Sequence, residues 1–156
     1  MKIAIQGLGE VPTPVELVLD KEKPDKSYIV ASEYQLNYVC ERQGHEESNE
    51  EVIKAAAKEA GTELEIRKCD AFDLDEITDT VADILEEISE EADEVLVNYT
   101  GGSANVRVIL GLTGIVLTRV CPTKIMYAIN YPEGPDVMDN QAEKLRDIYL
   151  RLNELF

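Results

Sequence analysis

Eight consecutive residues carry the strongest chemical signal in the chain. Asn98-Tyr99-Thr100-Gly101-Gly102-Ser103-Ala104-Asn105 join a short apolar run to a longer one through paired glycines and three hydroxyl-bearing side chains. Glycine lets backbone N–H groups close on a ligand, and a helix beginning just after it adds its dipole, so the pattern suits an anion such as a phosphate. The same residues also make a tight turn with Ser103 as an ordinary N-cap, and the pattern alone leaves both readings open. A second turn, Gly7-Leu8-Gly9, follows the first apolar run. It begins like the dinucleotide fingerprint G-x-G-x-x-G, but Pro12 stands where the third glycine would serve close helix–strand packing. A nicotinamide-dinucleotide site is therefore not expected. Glu33 has the place of a ribose-binding acid and equally that of a first-turn helix acid after a Ser32 cap.

Other reactive residue types are scattered. His45 is the single histidine and sits in a polar stretch, Gly44-His45-Glu46-Glu47, so it has no second histidine for a relay or a metal pair. Cys40, Cys69 and Cys121 lack C-x-x-C spacing, which makes buried thiols the default and leaves no expected metal or cofactor. The acidic run around Glu86, Glu87, Glu90, Glu91, Asp93 and Glu94 reads as a solvated helix face. No G-x-S-x-G, H-E-x-x-H or P-loop pattern occurs.

Composition narrows the class. The 156 residues, 44% hydrophobic, are one domain's worth and enough to hold a core without disulfides. The apolar stretch at residues 106–120 contains Arg107 and Arg119 and falls short of the roughly 20 residues a bilayer span needs. The N-terminus lacks a signal-peptide layout, and the odd, scattered cysteines fit a reduced, cytoplasmic protein. The formal charge of −17 argues against long nucleic acid as a partner, because duplex binding draws on a basic face. That charge is uneven: residues 1–94 hold 26 acidic and 9 basic side chains, whereas residues 95–156 hold 6 of each. Residues 95–131 have Arg107, Arg119 and Lys124 and no acid. A small anion is expected there if anywhere.

Periodicity supplies the elements that position these loops. Short β-like runs at residues 2–6, 27–31, 63–68, 95–99 and 124–130 alternate with helical segments near 14–19, 32–42, 49–60, 75–90, 104–120 and 140–155. Ser32 with Gln35 and Ser48 with Glu51 each form a capping-box pattern, and Gly44 and Gly61 fit helix stops. The run at 63–68 alternates apolar and charged residues, as an edge strand does. The alternation predicts an α/β, Rossmann-like three-layer sandwich with a mainly parallel sheet of about five or six strands. In strand order 3-2-1-4-5 the first and fourth strands adjoin, and the crossover direction reverses between them. Ligands of such sheets bind at that switch point, where both glycine turns fall. The helix at 104–120 is apolar nearly all round, so it packs on the sheet and is covered on its other side by a symmetry mate or by the C-terminal helix.

The order Pro12-Thr13-Pro14-Val15, Lys23-Pro24-Asp25-Lys26, Ala31-Ser32-Glu33 and Asn98-Tyr99-Thr100-Gly101-Gly102-Ser103 resembles the CRISPR-associated Rossmann-fold (CARF) sensor domains over most of the chain. The resemblance implies a homodimer whose two crevices merge into one pocket for a cyclic oligoadenylate, with Gly7, Leu8, Gly9, Thr13, Ser32, Thr100, Gly101, Gly102, Ser103, Asn105 and Arg107 at the ligand. Most members of that family append a nuclease or DNA-binding effector, and 156 residues leave no length for one, so a stand-alone domain, residues 1–156, is expected. Such a domain is a sensor, a messenger-binding partner, or a metal-independent ring nuclease in which a ribose 2′-OH attacks the adjacent phosphodiester. Two departures stand out. The family loop often ends T-G-G-T-K, whereas Ala104 replaces the lysine here, leaving Arg107 one helical turn on as the nearest cation. Glu10 puts an acid in the first loop, and Thr13 and Ser32 are the nearest hydroxyls to it. The alternative is a Rossmann-like protein-interaction domain whose glycine turns are structural.

Overall fold

The computed structural model describes residues 1–129 and 136–155. Its strands are β1 (Lys2–Gly7), β2 (Lys26–Ala31), β3 (Glu63–Lys68), β4 (Glu94–Asn98), β5 (Thr123–Ile129) and β6 (Val137–Asn140). Its helices are α1 (Thr13–Glu22), α2 (Glu33–Asn37), α3 (Asn49–Ala60), α4 (Leu74–Ile88), α5 (Ala104–Leu117) and α6 (Ala142–Leu155). They build a three-layer Rossmann-like sandwich around one sheet ordered β3-β2-β1-β4-β5-β6. The first five strands are mutually parallel, and β6 closes the sheet antiparallel to β5.

Strand alternation divides the core between the faces. Ile3, Ile5, Tyr28, Val30, Val95 and Val97 point to one side, where they meet Ile77, Val81 and Ile84 of α4 and Val106 and Leu110 of α5. Ala4, Ile29, Ala31 and Leu96 point to the other, under α1 and α3. A central strand covered on both faces has no polar side to show, which is why these runs read as nearly continuous apolar sequence. β3 lies at the edge, as its alternation predicts, and none of its residues is fully buried. At the opposite end of the strands from the glycine loops, a charge network ties α1 to the sheet. Glu22 accepts from Lys2 Nζ at 2.7 Å and Lys124 Nζ at 2.9 Å, and Lys124 also lies 3.6 Å from Glu94.

Three elements differ from the sequence expectation. The helix expected through residue 42 stops at Asn37: Tyr38 adopts an extended conformation, its carbonyl accepts from Asn49 N at 2.8 Å, and Cys40 becomes fully buried before a short 3-10 turn at Glu41–Gln43. The helix expected to run through residue 120 ends at Leu117, with the last residues forming a turn. Asn140, expected to open the last helix, ends β6 instead, and its Oδ1 accepts from both Ile125 N and Ala142 N, so it joins β5 to the first turn of α6. The expected fifth strand extended to Asn130, which lies outside the described residues.

Candidate functional site

Because β1 to β5 are parallel, their C-terminal ends share one edge. Register places Gly7 beside Val30 and Gln6 beside Asn98, so the loops after β1 and β4 emerge side by side at the switch point. They touch. A Cβ built on Gly7 would lie 2.5 Å from Gly101 O, and one on Gly101 would meet Gly7 O closer still. A Cβ on Gly9 would lie 3.2 Å from Gly102 N, and Gly102 itself has φ of 101°, in the region that favours glycine. Gly7, Gly9 and Gly101 thus answer to each other across the two turns, whereas a Cβ on Gly102 would meet Val106 of the following helix.

A buried polar chain sets the height of both loops. Ser27 Oγ accepts from Gln6 Nε2 at 3.0 Å, Gln6 Oε1 accepts from Asn98 Nδ2 at 2.9 Å, and Asn98 Nδ2 also donates to Pro14 O at 3.1 Å. Asn98 Oδ1 then accepts Thr100 N at 3.1 Å. All three side chains are fully buried, and each is satisfied by the next. Sequence reading missed Gln6 as part of this set; its signal was a polar side chain in an otherwise apolar strand. It also missed Asn49, fully buried at the start of α3, whose Nδ2 lies 3.2 Å from Gly9 O, 3.2 Å from Glu10 O and 3.0 Å from Gln35 O. No spacing rule marks that residue.

The side chains expected at the site are mostly engaged inside the protein. Thr100 Oγ1 accepts from Ala128 N at 2.7 Å and so ties the second loop to β5. Ser103 caps α5 by accepting Val106 N at 3.2 Å and donates to Ala71 O. Ser32 forms a reciprocal capping box with Gln35, and Thr13 donates to Gln43 Oε1. Asn105 Nδ2 donates to Phe72 O at 3.1 Å. Leu8 is a core residue, held in the loop by its amide to Val30 O at 3.2 Å. Glu10 is exposed and accepts from Tyr34 OH at 3.1 Å, which raises the phenol above its ordinary range. The Arg107 side chain stands exposed on α5 with no hydrogen bond or ion pair among the described residues, while its amide donates to Ser103 O at 3.0 Å. His45 lies 3.9 Å from Glu16, whose carboxyl is raised by burial and partly restored by the imidazole. Among the described residues no group of three or more His, Cys, Asp or Glu is placed to hold a metal ion.

What remains open is backbone. Among the described residues, the amides of Gly9, Glu10, Gly101, Gly102 and Ser103 donate to no protein acceptor. Five such donors lie in two touching loops, the second at the N-terminus of a 14-residue helix, where the helix dipole favours an anion. The chemistry on offer is therefore main-chain recognition of phosphate-like oxygens, with Arg107 as the nearby cation.

The architecture defines a doubly wound α/β domain whose two glycine loops lie at the switch point. No family model matches the chain, and no curated protein matches it. Solved structures share its fold at low identity. Enterococcus italicus Csm6 bound to cyclic hexa-2′-fluoro-hexa-dAMP aligns over 99% of this chain at 17% identity, with a TM-score of 0.61. Can2 from Sulfobacillus thermosulfidooxidans, in complex with cyclic tetra-adenylate, aligns over 88% at 14% identity and a TM-score of 0.57. A type III CRISPR defence DNA nuclease activated by cyclic oligoadenylate aligns over 90% at 17% identity and a TM-score of 0.52. The chain spans 40%, 36% and 21% of those proteins respectively.

Proposed function

We propose that this chain is a CARF-type sensor domain that binds a cyclic oligoadenylate at the C-terminal edge of β1 and β4, in CRISPR antiviral signalling. The observation that carries the reading is the set of unpaired amides in two glycine loops packed against each other at the switch point. Structural neighbours with this fold are described with cyclic adenylates or as activated by them. In this reading residues 1–156 are the sensing domain, acting in the cytoplasm.

The ligand is a ring of phosphates, and a two-fold pair of loops matches a ring better than one loop does. An outward stripe on α5 supports that pairing: Val108, Leu112 and Val116, at i, i+4 and i+8, are 57%, 55% and 61% exposed. α6 packs against α5 yet leaves the stripe bare. We therefore place the homodimer contact on this stripe. The same stripe favours the second reading, a domain that works through protein contacts without a nucleotide.

Incubating the purified protein with cyclic tetra- and hexa-adenylate, without metal, separates these readings. A ligand that binds only the folded state raises the melting temperature by mass action. Stabilisation with the ring intact identifies a sensor. Stabilisation with conversion to linear products ending in a cyclic phosphate identifies a ring nuclease, in which positioned amides stabilise charge on the phosphorane. No shift with either ring sinks the nucleotide reading.

A further inference from the structure

We propose that Phe72 is the base-stacking residue of this site, taking the face of one adenine while the glycine loops hold the neighbouring phosphate; this rests on the cyclic oligoadenylate reading above. Phe72 follows β3 on the ligand edge, on the sheet face covered by α4 and α5. Its phenyl ring is 84% exposed and stacks on no ring among the described residues. The backbone beneath that ring is fastened. Ser103 donates to Ala71 O, Asn105 Nδ2 donates to Phe72 O at 3.1 Å, and Phe72 N donates to Asp70 Oδ1 at 2.9 Å. On the far side Asp73 caps α4 by accepting Asp75 N and Glu76 N. A large apolar side chain is thus presented to water from a loop that both hydrogen-bonding residues of the α5 N-terminus hold in place. Tyr34, the other strongly exposed aromatic side chain at this edge, is occupied with Glu10 and packs against Tyr38.

The occupant follows from the chemistry. Stacking on a nucleobase uses the neutral π-face, so the acids beside Phe72 do not oppose it as they would a phosphate. Asp70 and Asp73 are occupied with backbone amides, so the ring of Phe72 is what this loop offers a base, and the choice of adenine comes from the cyclic oligoadenylate reading. The neighbouring phosphate would be taken by the unpaired amides of the glycine loops, to which Ser103 and Asn105 tie the Phe72 backbone.

The chain contains no tryptophan, so Phe72→Trp creates a lone fluorophore at the proposed contact. With cyclic tetra- or hexa-adenylate, the expected result is saturable quenching of its emission at an affinity near that of the unaltered protein. Phe72→Ala is expected to weaken binding by roughly tenfold to a hundredfold, the effect of one lost base stack, with an unchanged far-ultraviolet spectrum. If the unaltered protein binds a ring while the tryptophan emission does not respond and Phe72→Ala binds equally well, the inference is wrong and the site reading stands. Emission that changes with protein concentration and not with ligand would place Phe72 between copies of the chain and also overturn it. If neither ring stabilises the unaltered protein, the site reading falls and this inference falls with it.

Discussion

At the residue scale, the glycines of the two loops show how a pattern suggestive of ligand binding can also be a packing requirement. Gly7 and Gly101 are mutual: neither tolerates a Cβ without pushing the other loop away. Gly101→Ala is expected to destabilise the protein by about 1–3 kcal/mol, the usual cost of forcing an added methyl into a closed contact, read as a lower urea midpoint with the same slope. A midpoint equal to that of the unaltered protein would mean that the loops do not touch. For this reason neither residue is a clean probe of ligand binding, and Gly102, at positive φ with Val106 Cγ1 2.9 Å from a built Cβ, is no better. Arg107 and Phe72, both exposed, are the side chains whose replacement leaves the fold alone.

At the element scale, α1 is held at both ends, by Asn98 on Pro14 O and by Glu22 between Lys2 and Lys124. Burial alone would raise the Glu22 carboxyl, but the hydrogen bonds from Lys2 and Lys124, with their charges, outweigh it and hold the group below its ordinary value of 4.5. The unfolded chain therefore binds this proton more readily in acid. The stabilisation is complete above about pH 4.5 and is lost as pH falls through the lower, folded value. Glu22→Gln should lower stability near neutrality by up to about 1 kcal/mol, as charge networks at the surface do. The difference from the unaltered protein should vanish in acid; a difference that persists undiminished at pH 3 would show that packing, not charge, was lost. This network was not legible in the sequence, since residues 2, 22, 94 and 124 meet only once the strands are laid side by side. The strands themselves were legible, because a doubly covered sheet needs continuous apolar runs. So were the two capping boxes, which are local hydrogen-bond patterns. The early end of α2 was not, because what stops it is a tertiary bond from Asn49 to Tyr38 O and the burial of Cys40. The glycine loops were visible as loops, but the buried amides that level them and the aromatic ring beside them carry no spacing signature.

At the scale of the whole molecule, α5 turns a row of apolar side chains outward. A stripe of three apolar side chains four residues apart is the kind of surface that a second copy covers. On the proposed homodimer, the unaltered protein is expected to sediment as a dimer and Leu112→Glu as a monomer, with the helical spectrum intact. If the unaltered protein already sediments as a monomer at micromolar concentration, the homodimer is wrong. A shared pocket across the two-fold axis would make the same substitution weaken cyclic oligoadenylate binding, although Leu112 lies two turns along α5 from Ser103. The uneven charge bears on the same geometry: three of the five unpaired amides, those of Gly101, Gly102 and Ser103, lie in the acid-free stretch that also holds Arg107, while Gly9 and Glu10 come from the acidic part of the chain.

The placing of β1 between β2 and β4 has a consequence for how the molecule comes into being. β2 follows β1 within a few turns of chain, but Gln6 finds Asn98 only across a separation of 92 residues. At the pace of synthesis, roughly 5–20 residues per second, one edge of β1 waits roughly 5–20 s for its neighbour. A sheet of β1 to β3 formed in that interval would leave the unpaired N–H and C=O groups of β1 bare along one edge, the condition under which strands of different chains find one another. The acidic excess belongs to residues 1–94, the part that is waiting. Net charge of one sign on those residues would oppose the association of such half-sheets, and the pairing of β4 with β1 is also what sets the two glycine loops against each other.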